Sequence, residues 1–220
     1  MNRSSCIAGL AALAVGVLGS LAVAQTVRIG SVEAFGSFKR LAHSGDASAK
    51  VALSAVSASP GTYAVGALAG VQGEILVWDG RVLVTPGHSG EGRTEAPAAD
   101  AGAALLVLSR VAAWANVAVP ADMTQAEFEA FVLGEASRRG LDVATPFPFL
   151  VRGKFPALVW HVLIGRPAGG HGTAHGQGHA AVRVFEEREA AGAIMGFYSG
   201  DALEGVISHP GERFHLHYAT

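Results

Sequence analysis

Residues 74–84 read EILVWDGRVLV, and this stretch decides the fold class of the sequence. Two runs rich in β-branched and aromatic residues flank the dipeptide Asp79-Gly80. Asp-Gly favours a type I′ turn, in which both central residues have positive φ, and the twist of that turn matches the twist of paired strands. The stretch therefore predicts an antiparallel β-hairpin.

Composition places the chain among folded, turn-rich proteins. Of its 220 residues, 50% are hydrophobic and 15% are charged, and the mean hydropathy is +0.35. Intrinsic disorder requires the opposite balance of hydrophobicity and charge. The 29 glycines and 9 prolines indicate many turns and short strands. Because the net charge is −2, the chain lacks the basic field that nucleic acid requires, and we expect no nucleic-acid partner.

The first 24 residues have the features of a secretory signal peptide. Arg3 gives a positive start, residues 6–24 carry no charge, and small residues precede the junction of Ala24 and Gln25. The alternative is an uncleaved membrane anchor, since a run of this length could span a bilayer. We expect cleavage and export, periplasmic or secreted, with no stable membrane insertion afterwards. The single cysteine, Cys6, lies in this segment, so the mature chain would have no thiol chemistry.

The mature chain, residues 25–220, is expected to form one domain. Residues 26–29 predict a strand. Apolar residues then repeat every three positions, which predicts a helix: Val32, Phe35, Phe38 and Leu41. Residues 104–119 are apolar and fit either a strand or a helix. Thr124 and Glu127 have the spacing of a capping box and predict a helix that ends near Gly140.

The last third of the chain predicts strands again. Turns at residues 153–155 and at a charged run near residue 188 would separate the apolar segments 149–152, 157–163, 181–185, 193–198 and 214–218. A Gly/His-rich loop, residues 168–180, lies among them. The predicted fold class is α+β, with one or more mixed, largely antiparallel β-sheets and two or three helices.

His215 and His217 are the first candidates for chemistry. On a strand, residues i and i+2 face the same side, so both imidazoles could bind one metal ion while Leu216 faces the other side. Two histidines on a solvated strand face also occur without any function. A zinc site needs three or four ligands, so this pair alone does not establish one.

Three histidines of the Gly/His-rich loop form a second metal candidate: His171, His175 and His179. Their spacing suits one face of a helix, but the glycines between them disfavour helix formation. A flexible loop can fold around a metal ion at an entropy cost. A soluble insertion without metal is the interpretation we favour.

Glu74 and Arg152 are candidates because they are charged residues next to apolar strand segments. Glu74 alternates with Leu76 and Trp78, which suggests a face that is buried or lines a pocket. Buried charges need partners. The alternatives are a structural ion pair between the two residues, or two edge residues in water.

A series of short motifs runs in order through residues 26–220: Thr62-Tyr-Ala-Val-Gly66, Gln72-Gly-Glu-Ile-Leu76, Asp79-Gly80, Met123-Thr124, Val151-Arg152-Gly153-Lys154, Gly192-Ala-Ile-Met-Gly-Phe197 and His215-Leu-His217. Each motif alone is degenerate. In their order, they resemble the motifs of the α-acetolactate decarboxylase family. The resemblance covers nearly the whole mature chain and implies the fold of that family.

The resemblance also implies an activity, that of a carbon–carbon lyase. The family uses zinc to convert 2-acetolactate to acetoin and CO2. By this resemblance His215 and His217 would bind the metal, which acts as a Lewis acid. Arg152 would orient the small-molecule substrate, and Glu74 would deliver a proton as general acid.

The sequence departs from the family at its C-terminal end. The family has a further zinc-binding histidine after the His-x-His pair and a glutamate in its C-terminal tail, and neither is present here. We therefore expect a C-terminally short or truncated member in which His209 could substitute as a ligand. An uncovered C-terminal strand edge would favour a homodimer.

Three functions remain open at this point. The first is decarboxylation of 2-acetolactate or of a related β-keto or α-hydroxy acid. The second is a periplasmic protein that binds metal or a small ligand. The third is an inactive, truncated family member.

Overall fold

Two antiparallel β-sheets pack against each other in the computed structural model, which describes residues 26–29, 31–56, 59–165 and 181–219. The predicted signal peptide, residues 1–24, lies outside the described residues. So do the whole Gly/His-rich loop, residues 168–180, and its three histidines. The predicted fold class, α+β with largely antiparallel sheets, is confirmed.

The larger sheet has seven strands and the smaller sheet has three. The strands of the larger sheet are β1 (Thr26–Ile29), β2 (Val32–Phe35), β3 (Val51–Ala52), β4 (Thr62–Leu68), β5 (Gly73–Trp78), β6 (Arg81–Pro86) and β7 (Gly102–Arg110). Their order is β1-β2-β7-β4-β5-β6, with β3 also paired to β7. The smaller sheet has the order β10-β9-β8, made of β8 (Phe147–Leu163), β9 (Val182–Tyr198) and β10 (Phe214–Ala219). Two helices complete the described fold, α1 (Phe38–His43) and α2 (Gln125–Arg138), with 3-10 turns at Leu53–Ala55 and Ala69–Val71.

The Asp-Gly hairpin forms as predicted. Trp78 pairs with Arg81, and the two turn residues have positive φ, 48° at Asp79 and 83° at Gly80. The Asp79 side chain also accepts a hydrogen bond of 2.7 Å from the backbone N–H of Gly61, which ties the turn to the start of β4. Turn chemistry and strand propensity agree here, and the hairpin forms β5 and β6.

Helix α2 begins at the predicted capping box. The Glu127 carboxylate accepts a hydrogen bond from the Thr124 backbone N–H, and the Thr124 hydroxyl accepts one from the Glu127 N–H. The helix packs on the smaller sheet through Ala136, beside Phe147 and Phe214. Within the described residues, no helix is long and apolar enough to cross a membrane.

The helix predicted over the stripe from Val32 to Leu41 forms only in its second half, at Phe38 and Leu41 in α1, and its first half is wrong. Val32 and Ala34 are buried at alternate positions of β2, which pairs with β7. Gly36 then adopts a φ of 81°, which interrupts the backbone, and Ser37 caps the six-residue helix α1. A three-residue spacing across a strand–turn–helix junction imitated a helical repeat. The apolar run at residues 104–119 is β-strand only as far as Arg110.

The two turns predicted in the last third are also wrong. Residues 153–155 lie inside β8, and the charged run near residue 188 lies inside β9. The two strands keep one register on both sides of Pro156, for example at Arg152 with Ala193 and at Ala157 with Arg188. The ladder skips Pro156, opposite which Glu189 has a φ of 51°. Charged residues are tolerated there because much of this long two-stranded ribbon is solvent-exposed.

The core between the sheets is formed by apolar side chains from both. Its buried members are Val32, Ala34, Tyr63, Val65, Leu76, Val107, Met195, Phe197, Leu203 and Ile207. The first six come from the larger sheet, Met195 and Phe197 come from β9, and the last two come from the segment between β9 and β10. This contact fixes which face of each sheet points inward.

Gly66 lies where the central strands β4 and β7 approach closely. A Cβ atom at this position would lie 2.1 Å from the backbone oxygen of Leu105. We expect Gly66→Ala to lower the free energy of unfolding by about 1–3 kcal/mol, because the strands must separate. Gly153→Ala in β8 is the matched control, since its Cβ would meet nothing within 4 Å. Equal urea midpoints for the two variants would contradict the described β4–β7 packing.

Candidate functional site

His215 and His217 lie on the inward face of β10. Their partners on β9 are Phe197 and Met195, which are both fully buried in the core between the sheets. Leu216 between them faces the other side and is 41% exposed. The prediction that both imidazoles share one side of a strand is confirmed.

The two imidazoles converge through the same ring atom. The Nε2 atoms of His215 and His217 are 3.0 Å apart. Two nitrogen ligands on a tetrahedral zinc ion, each at about 2.0–2.1 Å, would be separated by about 3.3 Å. Among the described residues, the buried Nδ1 atom of His215 has no hydrogen-bond partner. The pair therefore matches two ligands of a metal ion in atom type and approximate separation.

Burial keeps both imidazoles neutral. It lowers the pKa of His215 well below the usual range, and the neighbouring His217, His209 and His161 lower it further. Burial also lowers the pKa of His217 to about 4, and His161 adds to this effect. The neutral form of imidazole is the form that binds metals.

Glu74 lies next to this pair, on the inward-facing side of β5. Its Oε2 atom is 3.7 Å from Nε2 of His217, and its Oε1 atom accepts a hydrogen bond of 3.0 Å from the backbone N–H of Leu163. Burial raises the pKa of Glu74 to about 7, although the Leu163 N–H opposes the shift. Near pH 7 the carboxyl group therefore exists in both protonation states, and the contact with neutral His217 is not an ion pair.

Gly73 explains how β5 brings Glu74 to this place. Its φ is 143°, and a Cβ atom would lie 2.4 Å from the backbone oxygen of Thr85 on β6. Only glycine fits such a close approach without displacing the neighbouring strand. Gly73 thus starts β5 close against β6, and the next residue, Glu74, points its carboxyl group toward the histidine pair.

His209 lies near the histidine pair, and the ring of Phe38 contacts both His209 and His215. Its ring centroid is 4.3 Å from that of Phe38, which in turn is 5.1 Å from that of His215. His209 is exposed. In the described part of the chain, no three His, Cys, Asp or Glu side chains are placed to hold one metal ion together. The structure thus brings His215, His217 and Glu74 together and leaves His209 at the margin.

Arg152 shares the inward-facing side of the smaller sheet with the histidines. Arg152 pairs with Ala193 on β9, and His217 pairs with Met195, two residues further along the same strand. Residues two apart on a strand face the same side. The Arg152 guanidinium is 5.3 Å from the ring centroid of Trp78. Trp78 lies four residues from Glu74 on β5, a separation of about 13 Å. Glu74 and Arg152 form no ion pair with each other in this structure, and the sequence-based alternative of a structural ion pair is not observed.

Strand β8 bends to connect these two places. Arg152 contacts Trp78, and Leu163 contacts Glu74, at opposite ends of β5. In extended form the stretch from Leu150, which lies in the same row as His217, to His161 would span about 36 Å. His161 is nevertheless close enough to His217 to lower its pKa. The distal half of β8 must therefore curve back toward the site.

This bend brings in His161, a residue that the sequence analysis did not single out. His161 is close enough to lower the pKa values of His215 and His217, and its own pKa is lowered by burial and by His209. The available signal was a histidine between Trp160 and Val162 in an apolar strand. That signal gives no indication that β8 curves toward β10.

The chain shows similarity to known proteins in its structure alone. No family model and no curated protein matches it. The α-acetolactate decarboxylase from Bacillus subtilis strain 168 aligns with a TM-score of 0.65 at 14% sequence identity, covering 83% of this chain and 72% of that one. The acetolactate decarboxylase from Bacillus subtilis subspecies spizizenii aligns with a TM-score of 0.59 at 14% identity, covering 83% and 74%.

A third structure is a Staphylococcus aureus protein of unknown function that is described as similar to α-acetolactate decarboxylase. It aligns with a TM-score of 0.59 at 14% identity, covering 84% of this chain and 73% of that one. All three alignments cover most of both chains. The chain therefore has the fold of the α-acetolactate decarboxylases.

Proposed function

We propose that this protein is a carbon–carbon lyase that decarboxylates 2-acetolactate, or a related β-keto or α-hydroxy acid, and releases acetoin and CO2. The observation that carries the proposal is the buried group of Glu74, His215 and His217, in which a carboxyl with a pKa near 7 adjoins two neutral imidazoles. The acetolactate-decarboxylase fold supports the choice of substrate class.

A divalent metal ion, with zinc as first choice, is part of this proposal. His215 and His217 would hold it through Nε2, and interactions with the backbone of Ile207 and of Ile75 would help to orient the two rings. Two imidazoles are fewer than the three protein ligands of an ordinary catalytic zinc site, so they form part of a site. When bound, the metal supplies a Lewis acid that stabilises negative charge on the substrate ketone oxygen.

Glu74 would act as the proton donor. Loss of CO2 breaks the bond between the carboxyl carbon and the carbinol carbon, and the electron pair moves into the enediolate. A proton must then reach that carbon to give acetoin. Glu74 suits this step because its pKa of about 7 keeps a protonated fraction at neutral pH. The hydrogen bond from Leu163 fixes the orientation of the carboxyl group.

Arg152 would bind the substrate carboxylate. Its guanidinium keeps its charge at all physiological pH values and can form two parallel hydrogen bonds to a carboxylate. The residue lies on the same face of the smaller sheet as His217. Because the carboxylate leaves as neutral CO2, this interaction serves binding and orientation.

A metal- or small-ligand-binding protein without turnover is the second candidate. The observation behind it is the pair His215 and His217, whose Nε2 atoms lie 3.0 Å apart and could hold a ligand with or without turnover. Such a protein would take up ligand in stoichiometric amounts and release no acetoin. Export through the N-terminal signal and assembly into a homodimer remain proposals that accompany either function.

The first prediction concerns the proton donor. Glu74→Gln should reduce acetoin formation by about 100-fold or more, because the amide keeps the shape of the side chain but cannot donate the proton. Glu129→Gln on α2 is the matched control and should retain wild-type turnover. Equal rates for Glu74→Gln and wild type would exclude Glu74 from the reaction.

The second prediction concerns pH and stability in chelator-treated protein. The pKa of Glu74 is about 7 in the folded state, against 4.5 as the ordinary value, so folding favours the protonated form. This contribution is fully present below pH 4.5 and is lost as the pH rises to 7. Between pH 4.5 and pH 7, the free energy of unfolding of wild type should therefore fall by about 2–3 kcal/mol relative to that of Glu74→Gln, as measured by urea unfolding.

Subtracting the Glu74→Gln curve from the wild-type curve removes the opposing contribution of the histidines, which both proteins share. Parallel stability curves would show that Glu74 titrates as an ordinary exposed carboxyl group. They would also remove the reason for assigning it the acid role.

The third prediction concerns the metal. His215→Ala and His217→Ala should each weaken zinc binding by about 100-fold or more, since each removes a direct ligand. His88→Ala, at an exposed histidine on the loop after β6, is the control. Zinc content after dialysis against a fixed free zinc concentration gives the measurement. Unchanged zinc content in both site variants would place any bound metal elsewhere.

A further inference from the structure

Trp78 is the last residue of β5 and belongs to an aromatic row. Its ring meets that of Tyr63 edge-on at 5.9 Å, and Tyr63 meets Trp114 edge-on at 5.2 Å. Tyr63 is 6% exposed and lies in the core between the sheets. Edge-to-face contacts of this kind add to the stabilisation from burial. Tyr63, which is itself packed against Trp114, therefore holds the indole of Trp78 in place.

Arg152 lies over the ring of this indole. The guanidinium carbon lies 5.3 Å from the ring centroid, within the range of a cation–π interaction. Within the part of the chain that the structure describes, no carboxylate and no hydrogen-bond acceptor pairs with this guanidinium. The face of Trp78 is its one described partner.

This mode of contact has a consequence for the donors of Arg152. A cation–π contact forms without any acceptor for the guanidinium N–H groups, whereas a carboxylate binds to those N–H groups along the edge of the guanidinium. A salt bridge within the protein would occupy those edge donors. An aromatic partner holds the side chain and leaves its edge available to an incoming anion.

We propose that Trp78 is a positioning residue that fixes Arg152 for recognition of the substrate carboxylate. The inference rests on the proposed function, because it assigns the carboxylate to Arg152. Trp78 itself need not touch the substrate. Contact with Trp78 restricts the rotamers of the Arg152 side chain in the free protein. Ligand binding therefore costs less side-chain conformational entropy than it would for a freely moving arginine.

The test uses the full-length protein and a stable probe, 2-hydroxy-2-methylpropanoate, which has the carboxylate and hydroxyl of 2-acetolactate but no ketone. Isothermal titration calorimetry measures its dissociation constant. Trp78→Leu should weaken binding by about two- to fivefold, the equivalent of one cation–π contact. Trp78→Phe keeps an aromatic face and should recover most of that loss. Thermal melting checks that each variant is folded.

A double-mutant cycle separates positioning from a general structural role. Arg152→Ala should weaken probe binding by about tenfold or more, since it removes charge-assisted hydrogen bonds. In the Arg152→Ala background, Trp78→Leu should cause no further loss, because Trp78 acts through Arg152. Arg152→Lys keeps the charge but lacks the planar fork, and it should not restore wild-type affinity.

The outcomes of these experiments test the positioning role of Trp78 separately from the proposed decarboxylation. Additive losses in the cycle, equal affinities for Trp78→Leu and Trp78→Phe, or no binding of the probe by wild type would each overturn it. Acetoin release is measured in parallel. A wild-type protein that binds the probe, shows the predicted coupling and releases no acetoin would refute the proposed function and support the positioning role of Trp78.

Discussion

The candidate site depends on three ionisable side chains that two packed sheets shield largely from solvent. Leu76 from the larger sheet and Met195 and Phe197 from the smaller sheet belong to the buried core beside this region. The pKa of Glu74 is raised and those of His215 and His217 are lowered for the same reason, because a charge in this environment lacks solvation. A carboxyl group that is partly protonated near pH 7, beside two neutral imidazoles, follows from the packing.

The same packing separates two tasks along β5. One end, at Glu74, meets the imidazoles and the Leu163 N–H, where proton transfer and metal binding would occur. The other end, at Trp78, meets Arg152, which would attract a carboxylate. Strand β8 reaches both ends only because it bends. Strand β5 therefore sets the distance between the two places. The curved strand β8 supplies the Leu163 N–H at one place and Arg152 at the other.

Local signals in the sequence predicted part of this arrangement. The Asp-Gly turn, the capping box at Thr124 and the His-x-His pair are each decided by neighbours in the chain, and the structure agrees on all three. The errors arose where distant pairing outweighed local pattern. The stripe from Val32 became a strand because β7 was available beside it, and the charged run near residue 188 stayed extended because β8 pairs with it. His161 was missed because the bend of β8 is a tertiary feature.

The most direct test of the central claim follows the carboxyl carbon of the substrate. Purified protein is incubated with 2-acetolactate labelled at the carboxyl carbon with ¹³C, and ¹³C NMR follows the label beside acetoin. The account predicts release of labelled CO2 and acetoin in equal amounts, at a rate far above the spontaneous reaction and dependent on added zinc. Release at the spontaneous rate, with and without zinc, would contradict it.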